Sequence, residues 1–250
     1  MILYVTSFNK KLYEATGKNM IESFVKWKVE GDLLITFEDS LDLEIPKHRK
    51  FLFHNLDQDP FLKNWLDQNK DIIPTHLGGS FDGKFANVFN TRAASWFRKI
   101  VAIRASLDKG YDKIIFVDSD SVFKMMITEN YVEEVLEGNS MFYHLGKLRR
   151  KNDMGIESGF IGWDLNNGGR EYLNLVINSF DSGEFRKYTR WDDGYVFRMI
   201  VEENPQIKTK DLTKDLESTI EVVPNGPFKN FVTHHKGVHW RQHGVAFNNK

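Results

Sequence analysis

The chain of 250 residues carries 34 Lys and Arg against 35 Asp and Glu, a net charge of -1, with 41% hydrophobic and 28% charged residues. That balance excludes the disordered and fibrous classes and offers no general attraction for nucleic acid, and the length suits one α/β domain. Without cysteine there are no disulfides, thiol nucleophiles or thiolate metal sites, so any metal must be held by carboxylates and histidines.

Residues Ile2 to Phe8 are rich in strand formers. Apolar positions at Met20, Ile21, Phe24, Val25 and Trp27 follow the spacing of an amphipathic helix that Gly31-Asp32 ends, and Leu33 to Phe37 predicts a second strand. Strand, helix, strand at the start predicts a parallel α/β unit with a right-handed crossover. Thr6 and Ser7 then approach the ligand edge of the sheet, either as nucleotide contacts or as ordinary turn residues. Phe51 to Asn55 predicts a short strand, and Pro60 to Asn69 a helix opening at proline. Gly78, Gly79 and Gly83 mark a loop.

Thr91 to Asp108 is the clearest helix. Ala93, Trp96, Phe97, Ile100, Val101, Ile103 and Leu107 form its apolar stripe, Asn90 or Thr91 can cap its start, and Gly110 sits at its exit. Arg92, Arg98, Lys99 and Arg104 stand at the edges of the stripe, as solvated charges or, for one of them, as a contact to a phosphate.

Ile114 to Val117 is a continuous apolar run that stops at Asp118-Ser119-Asp120. Such a run suits a strand buried on both faces, which delivers its next residues to the carboxyl edge where open α/β sheets bind ligands. Two carboxylates there, one residue apart, are close enough to share a cation. A helix from Tyr131 to Leu136 stopped at Gly138, a strand from Met141 to His144, and the basic run Lys147 to Lys151 follow. The basic run reads as a solvated loop or as a mobile lid beside an anion. Glu157 to Asp164 predicts a strand entered through Gly159, and Arg170 to Phe180 a helix. Asp192-Asp193-Gly194 leads into an apolar-periodic segment from Tyr195 to Val201, so two acids stand at a helix start, as capping charges or as working carboxylates. Four of the eight histidines, His234, His235, His239 and His243, fall within ten residues. That clustering points to metal ligation, against exposed imidazoles on a polar tail.

Taken in order, these stretches resemble one family. Trp96 to Lys99, followed by Tyr111 to Asp120, resembles the helix and Asp-x-Asp strand of GT-A glycosyltransferases. Glu157-Ser158-Gly159 resembles the Asn-Ser-Gly strand of its glycogenin-like and galactosyltransferase-like members. Asp192-Asp193 falls where that group carries a pair beside the donor sugar, and His234-x-x-Gly237 with Trp240 resembles its C-terminal His-x-x-Gly-x-x-Lys-Pro-Trp element. The chain departs from the pattern in lacking the Lys-Pro pair and in carrying Asp193 where the glycogenin-like enzymes have glutamine.

The resemblance implies a single GT-A (Rossmann-like) domain over residues 1–250, with a mostly parallel central sheet flanked by helices. Residues 1–123 would be its nucleotide-binding half and 124–250 its acceptor side. It implies a hexosyltransferase that moves sugar, with retention, from a nucleotide-sugar donor, a UDP-sugar, to a hydroxyl of a glycan, protein or small molecule. Asp118, Asp120 and His234 would hold Mn²⁺ or Mg²⁺. Thr6, Ser7, Lys99, Asp118 and Lys236 would meet the nucleotide, and Asp192 or Asp193 would hold sugar hydroxyls or serve as a base. Trp163, Trp191 and Trp240 would stack on sugar faces.

Two other classes use the same residues. Asp118-Ser119-Asp120 after an apolar strand also resembles the nucleophile motif of haloacid-dehalogenase-type phosphatases, with Asp192 and Asp193 as Mg²⁺ acids. A catalytically silent sugar-nucleotide-binding module on the same fold is the third. No apolar run approaches the roughly 20 residues a bilayer span needs and no signal-peptide core is seen, so a cytoplasmic protein without a transmembrane segment is expected.

Overall fold

The computed structural model describes residues 1–38, 45, 47–72, 92–217 and 223–235. Nine strands lie among them: β1 (Ile2–Phe8), β2 (Asp32–Phe37), β3 (Phe51–Asn55), β4 (Lys113–Val117), β5 (Ser121–Phe123), β6 (Met141–Tyr143), β7 (Phe160–Asp164), β8 (Thr209–Asp211) and β9 (Val232–His234). Seven of them form one central sheet in the order β3-β2-β1-β4-β7-β6-β8, and β5 pairs with β9 apart from it. Strands β1 to β4 run parallel, β7 is antiparallel to both β4 and β6, and β6 is parallel to β8. The sheet is mostly parallel, and the reversal at β7 sets its first residue, Phe160, opposite the last residue of β4, Val117.

The longer α-helices of the described residues are α1 (Lys18–Lys26), α2 (Pro60–Gln68), α3 (Ala93–Ser106), α4 (Glu129–Leu136), α5 (Gly146–Lys151), α6 (Arg170–Asp181) and α7 (Asp193–Glu203). The strand sequences explain why helices cover both faces. Leu3, Val5, Ile114, Phe116 and Trp163 point into one apolar cluster, and their neighbours Ile2, Tyr4, Ile115, Val117 and Phe160 point into the other. A strand apolar at every position must be covered on both sides. Helices α2, α3, α6 and α7 supply the first cover, and α1 and α4 the second. On the first face Trp65 stacks on Phe97 with ring centres 4.1 Å apart and donates its indole N–H to the Phe180 carbonyl at 2.9 Å. Complete burial of Phe97 and of Phe180 stabilises the fold by roughly 1.5–3 kcal/mol each.

Local chemistry sets the helix ends. Asp59 accepts from the amides of Phe61 and Leu62, with Pro60 at the first helical position, and so starts α2. Thr128 caps α4, which ends through left-handed Glu137 and Gly138. Ahead of α1 the chain is already helical from Lys10, with a widened turn at Tyr13–Gly17 that the apolar spacing does not reveal.

Two expectations are corrected here. The basic run 147–151 is not a loop: it forms α5, and Arg149 is buried there because its guanidinium meets Glu157 and the Gly155 carbonyl. Trp163 is wholly buried in the core beside Phe197, so it offers no face to a sugar. The glycine loop at Gly78, Gly79 and Gly83 and the candidate caps Asn90 and Thr91 lie outside the described residues, as do Lys236, Gly237, His239, Trp240 and His243.

Candidate functional site

The site grows from the end of β4. The pairing of β4 with β7 sets Val117 opposite Phe160, and one residue further the Asp118 amide donates to the Gly159 carbonyl at 2.9 Å. A tight turn follows, in which Ser121 N–H meets the Asp118 carbonyl at 3.0 Å, and the chain enters β5. Strand β9 lies antiparallel to β5 with His234 opposite Ser121, and the His235 amide donates to the Asp120 carbonyl at 3.0 Å. Two strands of three residues thus bring a histidine from near the end of the chain onto the Asp-x-Asp turn.

The ligating atoms of Asp118, Asp120 and His234 all lie within 4.8 Å of one another. His234 Nε2 is 3.0 Å from Asp120 Oδ1 and 3.4 Å from Asp118 Oδ2, while Nδ1 on the other side of the ring is 3.5 Å from Glu157 Oε1. The ring lies directly on Gly159, where a Cβ would come within 2.2 Å of its Cε1. Asp120 Oδ1 is buried and, although Nε2 is near, makes no aligned hydrogen bond.

Lys99 reaches this cluster from α3. Its ammonium lies 2.9 Å from Asp118 Oδ1 and 2.7 Å from Asp193 Oδ2, and it donates to Ser158 Oγ at 3.1 Å and to the Ser158 carbonyl at 3.3 Å. One cation therefore joins the Asp-x-Asp turn, the entry to β7 and the first residue of α7. The adjacent acids are not equivalent. Asp192 caps α7 through the Tyr195 amide and pairs with Arg190 at 2.9 Å, whereas Asp193 turns toward Lys99. A pair of glycines fixes the approach of α7. A Cβ on Gly194 would sit 2.3 Å from the Ile156 carbonyl oxygen, and one on Gly155 would sit 2.4 Å from the Gly194 backbone.

The charges are interdependent. Burial works against a charged His234, but Asp118, Asp120 and Glu157 outweigh it and raise its pKa to about 10. Burial likewise opposes ionisation of Asp118, yet Lys99 and His234 hold that carboxyl well below its ordinary range. Lys99 is held above its ordinary value by Asp118 and Asp193 despite its own burial. Asp192 is shifted upward by burial, with Arg190 pulling against the shift. Chemically, the arrangement is a carboxylate and imidazole set that already collects positive charge from two protein cations.

Of the residues singled out from sequence, the structure brings together Asp118, Asp120, His234, Lys99 and Asp193. Thr6 is wholly buried in β1, its backbone carbonyl accepting from Thr36, and Ser7 is half-buried beside it. Trp191 is half-buried against the core and donates to the Tyr188 carbonyl. Lys236 lies outside the described residues. Sequence reasoning read Glu157 only as part of a strand motif and Arg149 only as part of a basic run, with no role in the site for either. The one available signal was an acid in place of the amide of the Asn-Ser-Gly pattern. An open groove of about 600 Å³, lined by Glu134, Lys210 and Leu216 among others, shares no residue with this cluster.

No family model matches the chain, and no curated protein matches it. Among solved structures it is similar to mouse xyloside xylosyltransferase 1 in its apo form, with 16% sequence identity, 84% of each chain covered and a TM-score of 0.48.

Proposed function

We propose that the chain is a metal-dependent GT-A glycosyltransferase that moves sugar from a UDP-sugar to a hydroxyl acceptor with retention. The observation that carries this reading is the meeting of Asp118, Asp120 and His234 at the carboxyl edge of the sheet, tied through Lys99 to Asp193. Two carboxylates and an imidazole form an oxygen and nitrogen set suited to Mn²⁺, or to Mg²⁺. The buried Asp120 Oδ1, lacking an aligned hydrogen bond, and the glycine that lets His234 close over the turn both support that fit. A divalent cation held there supplies Lewis-acid neutralisation of the charge that builds on a departing diphosphate.

The rest belongs to side chains of this protein. Lys99 pairs with both Asp118 and Asp193 and fixes their relative position. We assign the donor sugar hydroxyls to Asp193, because Asp192 is committed to Arg190 and to capping α7. With retention, the leaving phosphate oxygen takes the acceptor proton, so no separate enzymic base is required. The phosphatase reading asks both acids of this pair to serve Mg²⁺, and the engagement of Asp192 elsewhere weighs against it.

Thermal stabilisation by a panel of UDP-, GDP- and dTDP-sugars with Mn²⁺ tests the reading. The expected result is a Mn²⁺-dependent rise in melting temperature with the UDP compounds. Absence of stabilisation by every nucleotide sugar contradicts it.

A further inference from the structure

The imidazole of His234 is held from behind by a buried relay that the proposed chemistry does not use. His234 Nδ1 lies 3.5 Å from Glu157 Oε1, an oxygen that accepts from the Gly159 amide at 3.4 Å. Glu157 Oε2 receives Arg149 Nη1 at 3.2 Å. Arg149 is anchored in turn by the Gly155 carbonyl, through Nε at 3.1 Å and Nη2 at 2.8 Å, and the Glu157 backbone amide is tied to the His144 carbonyl at 2.8 Å. All three side chains are buried.

An arginine–glutamate pair taken out of water pays a desolvation cost that an apolar pair of similar volume avoids, so its presence beside the turn calls for a function. Orientation of the ring is what the geometry offers. With Glu157 on the Nδ1 side, the ring presents Nε2 to Asp118 and Asp120, and Nε2 is the nitrogen whose proton a metal at the turn would displace. We infer that Glu157 and Arg149 are positioning residues for His234, Glu157 orienting the ring through Nδ1 and Arg149 acting only through Glu157. This inference rests on the metal-site reading of Asp118, Asp120 and His234.

The test is direct titration of the full chain with Mn²⁺ alone, following the free aqueous ion by electron paramagnetic resonance, with melting in EDTA as the measure of folding. Glu157→Gln is expected to raise the Mn²⁺ Kd about 10- to 100-fold. Arg149→Met is expected to raise it as well, Arg149→Lys to rescue part of that loss, and the Arg149→Met/Glu157→Gln double variant to bind no more weakly than Glu157→Gln. A role confined to bracing the 149–157 turn would lower the melting temperature and leave the Kd unmoved. Where Glu157→Gln does not fold, Arg149→Lys carries the test, again with a raised Kd expected. A Kd indistinguishable from that of the unmodified chain in the folded variants, or single effects that multiply in the double variant, overturns the inference. Failure of the unmodified chain to bind Mn²⁺ overturns the metal-site reading instead.

Discussion

Gly159 and His234 touch with no space for a side chain between them: a Cβ on the glycine would lie 2.2 Å from the imidazole Cε1. The glycine lies one residue beyond the β4–β7 ladder, where its carbonyl accepts from the Asp118 amide, so the ring that covers it faces the Asp-x-Asp turn. Gly159→Ala is therefore expected to push the imidazole off the turn. Its cost in stability is about 1–3 kcal/mol, as for other overpacked sites, and the loss of Mn²⁺ affinity exceeds tenfold. Calorimetric Mn²⁺ titration beside a melting curve separates the two effects. An alanine variant that binds Mn²⁺ like the unmodified chain would show that the contact does not set the ring.

Lys99 neutralises two carboxylates at once, and it is nearly inaccessible to solvent. Lys99→Met leaves Asp193 buried without its cation and Asp118 with only His234. The expected destabilisation is about 3 kcal/mol, the lower end for broken buried pairs because Asp118 retains partial exposure. Mn²⁺ is expected to recover more stability in this variant than in the unmodified chain, since a dication at the turn offsets the same charge. Chemical denaturation with and without Mn²⁺ measures both.

His144 is fully buried, with burial as the main cause of a pKa lowered to about 4, and its Nδ1 lies 3.2 Å from the Phe160 carbonyl. Its folded-state value is below its unfolded one, so the unfolded chain binds the extra proton first as pH falls. The neutral ring contributes stability that is complete above about pH 6.5 and declines toward pH 4, by an amount on the order of 3 kcal/mol. His144→Phe should flatten this part of the stability profile. Urea denaturation of both proteins between pH 4 and pH 7 checks it, and equal slopes would contradict it.

The legible and illegible parts of this molecule divide on physical lines. Ile114 to Val117 announced a strand covered on both faces because every residue in it is apolar, and β4 is buried at all five positions. Asp118 and Asp120 could be paired from sequence because they are neighbours in the chain. The reversal at β7 could not, since Glu157 to Asp164 carries the same apolar pattern in either direction. Asp192 and Asp193 read as equals in sequence, and only the packing of Gly155 against Gly194 turns one toward Arg190 and the other toward Lys99. Arg149 was hidden inside a run of like charges, where composition indicates solvent and only tertiary contact supplies Glu157. Glu157 also faces a histidine carried on β9, a contact that no local pattern could have exposed.

Under the proposed function, Asp118, Asp120 and His234 make this chain a metal-dependent sugar transferase. The most direct test is release of free UDP from a panel of UDP-sugars, with hydroxyl acceptors or with water, for the unmodified chain and for Asp120→Ala, each in Mn²⁺ and in EDTA. The expected results are release by the unmodified chain in Mn²⁺, a loss of that release of about 100-fold or more in EDTA and in Asp120→Ala, as for an essential electrostatic group, and an unchanged circular dichroism spectrum. Full activity after exhaustive metal removal, or binding of UDP-sugars without turnover of any of them, would contradict it.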